Sequence, residues 1–546
     1  MNIKSILSSL LLAGALSLAS CSEKDVIVDN PGDSPEQNQV GYLSINITSN
    51  GSTSRADEKY EDGSESESKV EAIRFYFFDD SGNAVSVKKS GEQMQSYLDV
   101  TDMTQNDDTN SSDDIESNIS AMLLIDTKTG DKLPTQVVAV LNPTTELKSQ
   151  DIINISDITD YTGNFSNDGN SLFVMSNSVY AYDGAKMDAV NVSANIKSSE
   201  DEAKKNPAII YVERVNAKVE VSTDLKKVDG KEYYELKSKD ATPTDLKIDE
   251  KTKLYLKIEG WDVTKTASKS RAMKEINPTW NLSWEWNGTH RSFWAINPSG
   301  LEYGIKSYND HAKNEFSTTE KIVAVYPQEN AAKDNTGANA ETLTKVIVLG
   351  QIVDGDGIPQ SFAQIGTTLY SKAQLLQLIV PPLGFYTDQE CSKKLGEDED
   401  DVIFVTNNSK AASGRYLSKM TLPTTEGQSK TYYKKGDDIN EPATVDEINK
   451  ALESLGTFKY YNNGLTYWYF DIAHLDKTGK GSGDYGLVRN HWYQSKITKI
   501  AGLGTPIPDD NDAIDPEQPD DPDSFIAAEI KVISWRIVSQ DIDLIW

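Results

Sequence analysis

Apolar and polar residues alternate in twos over much of this chain, and the alternation is sharpest near its two ends. Close to the start, Leu43, Ile45 and Ile47 alternate with Tyr42, Ser44, Asn46 and Thr48. At the finish, Ile533, Trp535 and Ile537 alternate with Ser534 and Arg536. Ile542, Leu544 and Trp546 then resume the beat on the other phase, after Val538–Ser539–Gln540. A period of two in β-branched and aromatic residues predicts strands with one buried face. A one-residue slip would turn the apolar set to the opposite face, so the pattern predicts a bulge or bend near Ser539.

Between these ends the same signal recurs. Ile73, Phe75 and Phe77 alternate with Arg74, Tyr76 and Phe78, and Asp79–Asn83 reads as the turn of a hairpin returning through Ala84–Val87. Gln136–Asn142 is a short buried strand stopped by Pro143, and 172–178 is an apolar run that breaks into polar residues. The stretch 209–222 reads as one strand with Val215, Ala217, Val219 and Val221 inward. Further strands are predicted at 254–263, 292–296, 321–326 and 344–352, with a tight turn at 354–357 and a short helix at 371–379. Thr101–Asn118 reads as a long polar loop. Many turn-separated strands and few short helices predict an all-β-dominated fold built from β-sandwiches.

Polar stretches divide the chain. A shift in composition at 198–205 places a boundary near residue 206, to within about ten residues. The Pro/Asp-rich run 505–524 cannot pack a core and reads as a solvated spacer before the last strand. At the other end, Lys4 precedes an apolar run, Ile6–Ala19, that is short for a bilayer span and ends in Leu18-Ala19-Ser20-Cys21, the pattern of an export signal. A polar tether, 22–39, follows it. The strand that starts near Gly41 runs into a Ser/Gly/Asp/Glu loop, 50–68, which holds one arginine, Arg55, before Ala56. Small polar loops are where proteases cut.

Charge and chemistry narrow the function classes. Against 54 Lys and Arg stand 85 Asp and Glu, a net charge of −31, which argues against binding a nucleic-acid backbone. With 2 Cys, no disulfide framework is expected. His290, His311, His474 and His491 fall at no zinc spacing, and no nucleophile elbow, phosphate loop or dinucleotide fingerprint is present. Cys391 lies just before the acidic run 397–401, which disfavours its thiolate. The run itself lacks the ligand spacing of a calcium loop. The reading is therefore of a non-enzyme with no metal and no cofactor.

Taken together, several stretches resemble the type V pilins of Bacteroidota, the fimbrillins, and within them the major subunit of the short-fimbria family. They are Tyr485–Tyr493 (YGLVRNHWY), Ile497, Ile500 and the turn Gly502–Pro506, Val212–Arg214 with Ala217–Val219, Phe173–Tyr180 and Ile533–Arg536. Tyr326 with Glu329–Asn330 fits the pattern, while Pro327 and Gln328 depart from it. The Leu18–Cys21 ending likewise resembles the lipobox of bacterial lipoproteins. Arg489, Asn490 and His491 are read as packing residues, not a catalytic set.

The resemblance implies two transthyretin-like β-sandwich domains. It implies a lipoprotein signal peptide at 1–20, with Cys21 lipidated, and a propeptide at 21–55 ending at the cleavage bond Arg55–Ala56. The domains would be 56–206 and 207–504, followed by the spacer 505–524 and a C-terminal donor strand in 525–546. Leu43, Ile45 and Ile47 would be the apolar face of a removable strand. Ile530, Val532, Ile533, Trp535, Ile537, Ile542, Leu544 and Trp546 would be the apolar set of the donor. The implied partners are further copies of the chain joined head to tail, anchor and tip pilins, an arginine-specific surface protease, and the outer membrane before cleavage. Readings of the same sequence as a tip or anchor accessory pilin, or as a monomeric surface glycan-binding lipoprotein, remain open at this point.

Overall fold

The sequence Ile-Arg-Phe-Tyr-Phe-Phe is apolar on both phases, apart from Arg74, and such a strand is stable only with both faces covered. In the computed structural model all six of its residues are buried. Ile73, Phe75 and Phe77 point into one core, and Tyr76 and Phe78 into another. Arg74 is tolerated there because its guanidinium meets Asp99 on the neighbouring strand at 2.8 Å and donates to the Lys148 carbonyl. The structure describes residues 40–49, 63–88, 93–101, 103–107, 117–127, 131–278, 292, 294–332, 337–406, 416–423, 430–474, 485–511, 513–516, 525–533 and 538–540.

The first sheet is built from β1 (Val40–Ser49), β2 (Ile73–Phe78), β3 (Tyr97–Val100), β4 (Thr104–Asp107), β5 (Ser117–Asp126), β6 (Gln136–Leu141), β7 (Met175–Asn177) and β8 (Ala208–Arg214). Their order is β3-β2-β6-β7-β8-β1-β5-β4. The sheet closes around one apolar core shared by strands far apart in this order, including Leu98, Ile119, Ile125, Phe75 and Leu43. The predicted hairpin at 73–87 is reduced to a single bridge, Phe78 to Ala84, because β2 takes β3 and β6 as its partners. Part of the predicted loop 101–118 is strand: β4 pairs with the start of β5. Its polar side chains hid a rim strand, whose outer edge needs no apolar face.

The chain leaves this sheet at Val215–Ala217. The stretch 209–222, read as one strand, is two strands in different sheets. β8 stays in the first, and β9 (Lys218–Thr223) opens the second. The crossing lies at the far limit of the ten-residue allowance around residue 206.

The second body has two sheets. One runs Ala324–Val325, β9, β13 (Trp492–Ala501), β14 (Phe525–Ile533) and β15 (Val538–Gln540). The other runs Tyr234–Glu235, β10 (Tyr255–Thr264), β11 (Lys345–Val353), β12 (Leu465–Asp471) and Thr505–Pro506. Val219, Val221, Tyr493 and Ile497 of the first meet Trp261, Val346, Val348 and Trp468 of the second in a common core. The 502–504 turn brings the chain back against β12. Gly504 has φ +71, and a Cβ there would lie 2.4 Å from the Thr466 hydroxyl, so only glycine fits.

Residues 354–464, between β11 and β12, form a further unit with its own core of Leu375, Leu376, Leu395, Met420 and Leu452. The predicted helix is there, Lys372–Ile379, capped by Ser371, which accepts from the Gln374 amide. A second helix, Val445–Glu453, is capped by Thr444. Two expected strands are not strands as drawn: Ser292 and 294–296 pair with no strand, and 321–326 contributes only Ala324–Val325. The architecture is β-dominated with few short helices. Among the described residues, no helix is long and apolar enough to cross a membrane.

Candidate functional site

Strand β1 occupies a slot with two walls. It runs antiparallel to β5, from Val40 opposite Asp126 to Thr48 opposite Asn118. It runs parallel to β8, from Ile45 opposite Ala208 to Ser49 opposite Val212, while Tyr42 and Leu43 pair with Lys197 and Ile196. Leu43 and Ile45 are fully buried in the first core, as their alternation predicts. Ser44, expected to face out, is also buried, at 8 % exposure. Nothing in the alternation marks this cover on the polar face. Ile47 keeps the register on both sides, opposite Ile119 and Ile210. Taking β1 away would bare two facing rows of backbone N–H and C=O groups and an apolar channel between them. Cys21, Arg55 and Ala56 lie outside the described residues.

The C-terminal stretch is differently placed. β14 pairs with β13 of its own chain, from Trp492 opposite Ile533 to Ala501 opposite Phe525, with a shift between Ile497 and Lys499. The chain then reverses, and β15 lies antiparallel on β14, with Val532 opposite Val538 and Ile530 opposite Gln540. Ile533 and Val538 therefore do not belong to one continuous strand, and Ser539, where a bulge or bend was expected, lies within β15 opposite Lys531. The residues beyond Gln540, where the other phase resumes, lie outside the described residues. Of the expected donor residues, Ile530, Val532 and Ile533 are placed by this backbone register. Trp535, Ile537, Ile542, Leu544 and Trp546 lie outside the described residues.

Where the two bodies meet, the polar residues singled out in the sequence converge. Arg489 is fully buried and uses its whole guanidinium: it meets Glu329 at 3.3 Å and donates to the carbonyls of Ala272 and Arg271 and to the Ser270 hydroxyl. Its own amide also donates to Glu329, at 3.0 Å. Asn490, at φ +57, takes the left-handed conformation that asparagine tolerates, and its amide donates to the Asn216 carbonyl. Lys274 meets Glu213 of β8 at 2.8 Å, and burial pushes its ammonium below the ordinary lysine range. His491 donates from Nδ1 to the Arg489 carbonyl, and His474 pairs with the Tyr493 hydroxyl, both at 2.8 Å. These are structural groups whose ion pairs and hydrogen bonds join one body to the other.

The remaining candidates for chemistry are likewise engaged. Asp401, in the acidic run, is buried and held by Lys430 at 2.9 Å, and it accepts from the Gly396 and Asp398 amides. Cys391 is buried, and burial followed by the charge of Asp388 raises its thiol. Asp262 and His311 form a buried pair at 3.0 Å. Among the described residues, no group of three or more His, Cys, Asp or Glu is placed to hold a metal ion.

One buried group escaped the sequence reading. Residues 64–68, expected in an exposed loop, hold the helical turn Glu65–Ser68, and its Glu67 is 1 % exposed. Lys218 meets the Glu67 carboxylate at 2.8 Å, Tyr326 donates to it through its hydroxyl, and the Ser64 amide donates to it at 2.7 Å. Arg214 donates to the Glu67 carbonyl at 2.9 Å. Burial alone would raise this carboxyl, but the charge of Lys218 and these hydrogen bonds hold it below the ordinary 4.5. The only trace in the sequence is Ser64 with Glu67, the spacing of a capping box.

The architecture defines a class first: a β-sheet protein whose first described strand sits between two walls of one sheet, and whose last described strand lies at a sheet edge. Comparison with known proteins then places its C-terminal part. Residues 459–541, which include β12, β13 and β14, match the family described as major fimbrial subunit protein type IV, fimbrillin, C-terminal. This part of the chain is similar to fimbrillin C-terminal regions, in line with the resemblance read from the sequence. No curated protein matches the sequence.

Among solved structures, the chain is similar to a putative cell adhesion protein from Parabacteroides distasonis at 12 % identity, covering 91 % of this chain and 99 % of that one, with a TM-score of 0.37. It is similar to a fimbrillin from Porphyromonas gingivalis at 12 % identity, covering 93 % and 99 %, with a TM-score of 0.36. It is also similar to a tip fimbrial protein from the same organism, truncated at its C-terminus, at 11 % identity, covering 91 % and 100 %, with a TM-score of 0.31.

Proposed function

We propose that this chain is the structural stalk subunit of a cell-surface fimbria, exported as a lipoprotein through Cys21, cut between Arg55 and Ala56, and polymerised by strand exchange to support adhesion and biofilm formation. The observation that carries the reading is the seat of β1. It fills a slot between β5 and β8, and its link to the rest of the domain runs through the loop that holds Arg55. A cut there frees β1 from everything but backbone pairing and the burial of its apolar face. Burying Leu43 and Ile45 contributes roughly 1.5–3 kcal/mol each, a modest hold for a strand that is no longer tethered.

An emptied slot recruits another strand by backbone pairing along both walls, which is β-augmentation. The C-terminal segment supplies it. The pairing of β14 with β13 supports a division of that segment. Phe525–Ile533 stays in the subunit's own sheet, and the residues after it, of which Val538–Gln540 pair back on β14 in this state, are the length that leaves to reach a neighbour. The contact is head to tail and does not close on itself, so it yields a filament, with anchor and tip subunits at its ends. The membrane partner is lost with Cys21, and the cutting partner is an arginine-specific surface protease.

The test compares the full chain and an Arg55→Ala variant, each treated with an arginine-specific protease and followed by size-exclusion chromatography and electron microscopy. Ladders and fibres are expected from the cut wild type only. Fibres from the uncut variant at the wild-type rate would overturn the reading. A stable cut monomer would favour the glycan-binding alternative.

A further inference from the structure

The contacts of Glu67 span three elements that the first strand does not hold together. Lys218 is the first residue of β9, in the second body. Arg214 is the last residue of β8, the parallel wall of the slot, two positions beyond the Val212 that pairs with Ser49 at the end of β1. Tyr326 packs edge-on against Phe173 of the first core, at 4.9 Å between ring centroids. Lys218 also sits 3.8 Å over the ring of Trp492, the first residue of β13. A few residues on, the chain is pinned again: the Glu71 amide donates to the Asn142 side chain, which donates back to the Lys69 carbonyl, both at 2.9 Å.

We propose that Glu67 is a positioning residue for strand loss: its clasp on Lys218, Arg214 and Tyr326 fixes residues 63–70 at the junction of the two bodies, at the end of the slot where β1 leaves. This rests on the reading that β1 is removed. The clasp confines the loss to the residues before it. It also keeps the end of β8 docked against the second body when β1 no longer pairs with it, so the slot persists as an open, two-walled acceptor instead of closing over its apolar floor. A loop with no such clasp would peel back with the strand and fray the wall it should leave standing.

The experiment uses the full chain, the protease-cut chain and a chain starting at Ala56, each as wild type, Glu67→Ala, Glu67→Gln and Lys218→Met. Hydrogen exchange by mass spectrometry reads residues 63–70 and 208–214, and binding of a synthetic peptide of residues 40–49 reads the slot. In the wild-type chain starting at Ala56, residues 63–70 and 213–214 should exchange as slowly as in the full chain, while the edge of β5 and the β1-facing amides of 208–212 speed up.

Glu67→Ala should speed exchange at 63–70 and weaken the peptide by about tenfold or more, the size expected for a charged hydrogen-bond set, with Glu67→Gln and Lys218→Met between. Equal exchange and equal peptide affinity in the variants would overturn the proposal. If Glu67→Ala does not fold, Glu67→Gln and Lys218→Met decide it. Failure of the protease to cut at Arg55 counts against the cleavage reading alone, because the chain starting at Ala56 still tests the clasp.

Discussion

β1 and β14, the long strands nearest either end of the described residues, sit in opposite situations. β1 lies inside a sheet, flanked by β5 on one side and β8 on the other. β14 has β13 along its whole length on one side, and on the other only the three residues of β15. Losing β1 opens two edges that face each other, while losing β14 exposes a single edge. In the proposed strand exchange an acceptor needs the first arrangement, and the contrast supports β1 as the strand that leaves and the residues after β14 as those that fill its place.

This comparison can be broken or sharpened experimentally, beginning with the largest effect. Deleting residues 534–546 should abolish fibres while leaving a folded, cleavable subunit, as read by electron microscopy and circular dichroism. Fibres of normal length from the truncated chain would place the donor elsewhere. Next, Arg489→Met strands Glu329 as a buried, uncompensated charge and should lower unfolding stability by roughly 3–5 kcal/mol. The loss should be equal in full-length and cut chains, because the junction owes nothing to β1.

Ile45→Ala separates the two states of the first sheet. It should cost about 2–4 kcal/mol in the full chain by leaving a cavity in the core. It should cost nothing in the cut chain once β1 has gone, and an equal loss in both would mean that the strand stays.

The smallest effect is acid sensitivity. Burial raises the Asp262 carboxyl, but hydrogen bonds from His311, Lys306 and the Ala312 amide outweigh it and hold it at about 2, below the ordinary 3.8. A depressed carboxyl stabilises the fold fully above its unfolded value and loses that stabilisation as pH falls through its folded value. Denaturant titrations should therefore lose about 2 kcal/mol between pH 4 and 2, and Asp262→Asn should flatten that slope.

Much of this architecture was legible because period-two alternation reports a one-sided strand directly. β1 followed from it, β6 from a short apolar run stopped by Pro143, and β10, β11 and the helix behind Ser371 lie where the sequence places them. What the pattern hid has physical reasons. β4 is polar because a rim strand needs no buried face, and the stretch 209–222 reads as one strand because Ile209–Val212 is apolar on both phases, which hides the change from Ile210 and Val212 in one core to Ala217, Val219 and Val221 in the other. The return of β15 onto β14 was missed because Ile533, Trp535 and Ile537 keep a single alternation up to it. The unit at 354–464 is marked by no change in composition sharp enough to separate it from the sandwich around it. At the site, Leu43 and Ile45 could be read from the sequence. Glu67 could not, because its partners Lys218 and Tyr326 are brought to it only by the packing of one body on the other.

The central claim is that a neighbour's C-terminal residues take the seat of β1. Ala121 on β5 lies directly opposite Ile45, and both are in the first core. Such opposed positions on antiparallel strands are within disulfide reach. Fibres grown from cut chains that carry Ala121→Cys together with Ile542→Cys, Leu544→Cys or Trp546→Cys, one at a time, can be oxidised and run on a non-reducing gel. A ladder of covalently linked subunits is expected from at least one pair. Fibres that dissolve to unlinked monomers in all three, or cross-links confined within single chains, would contradict the account.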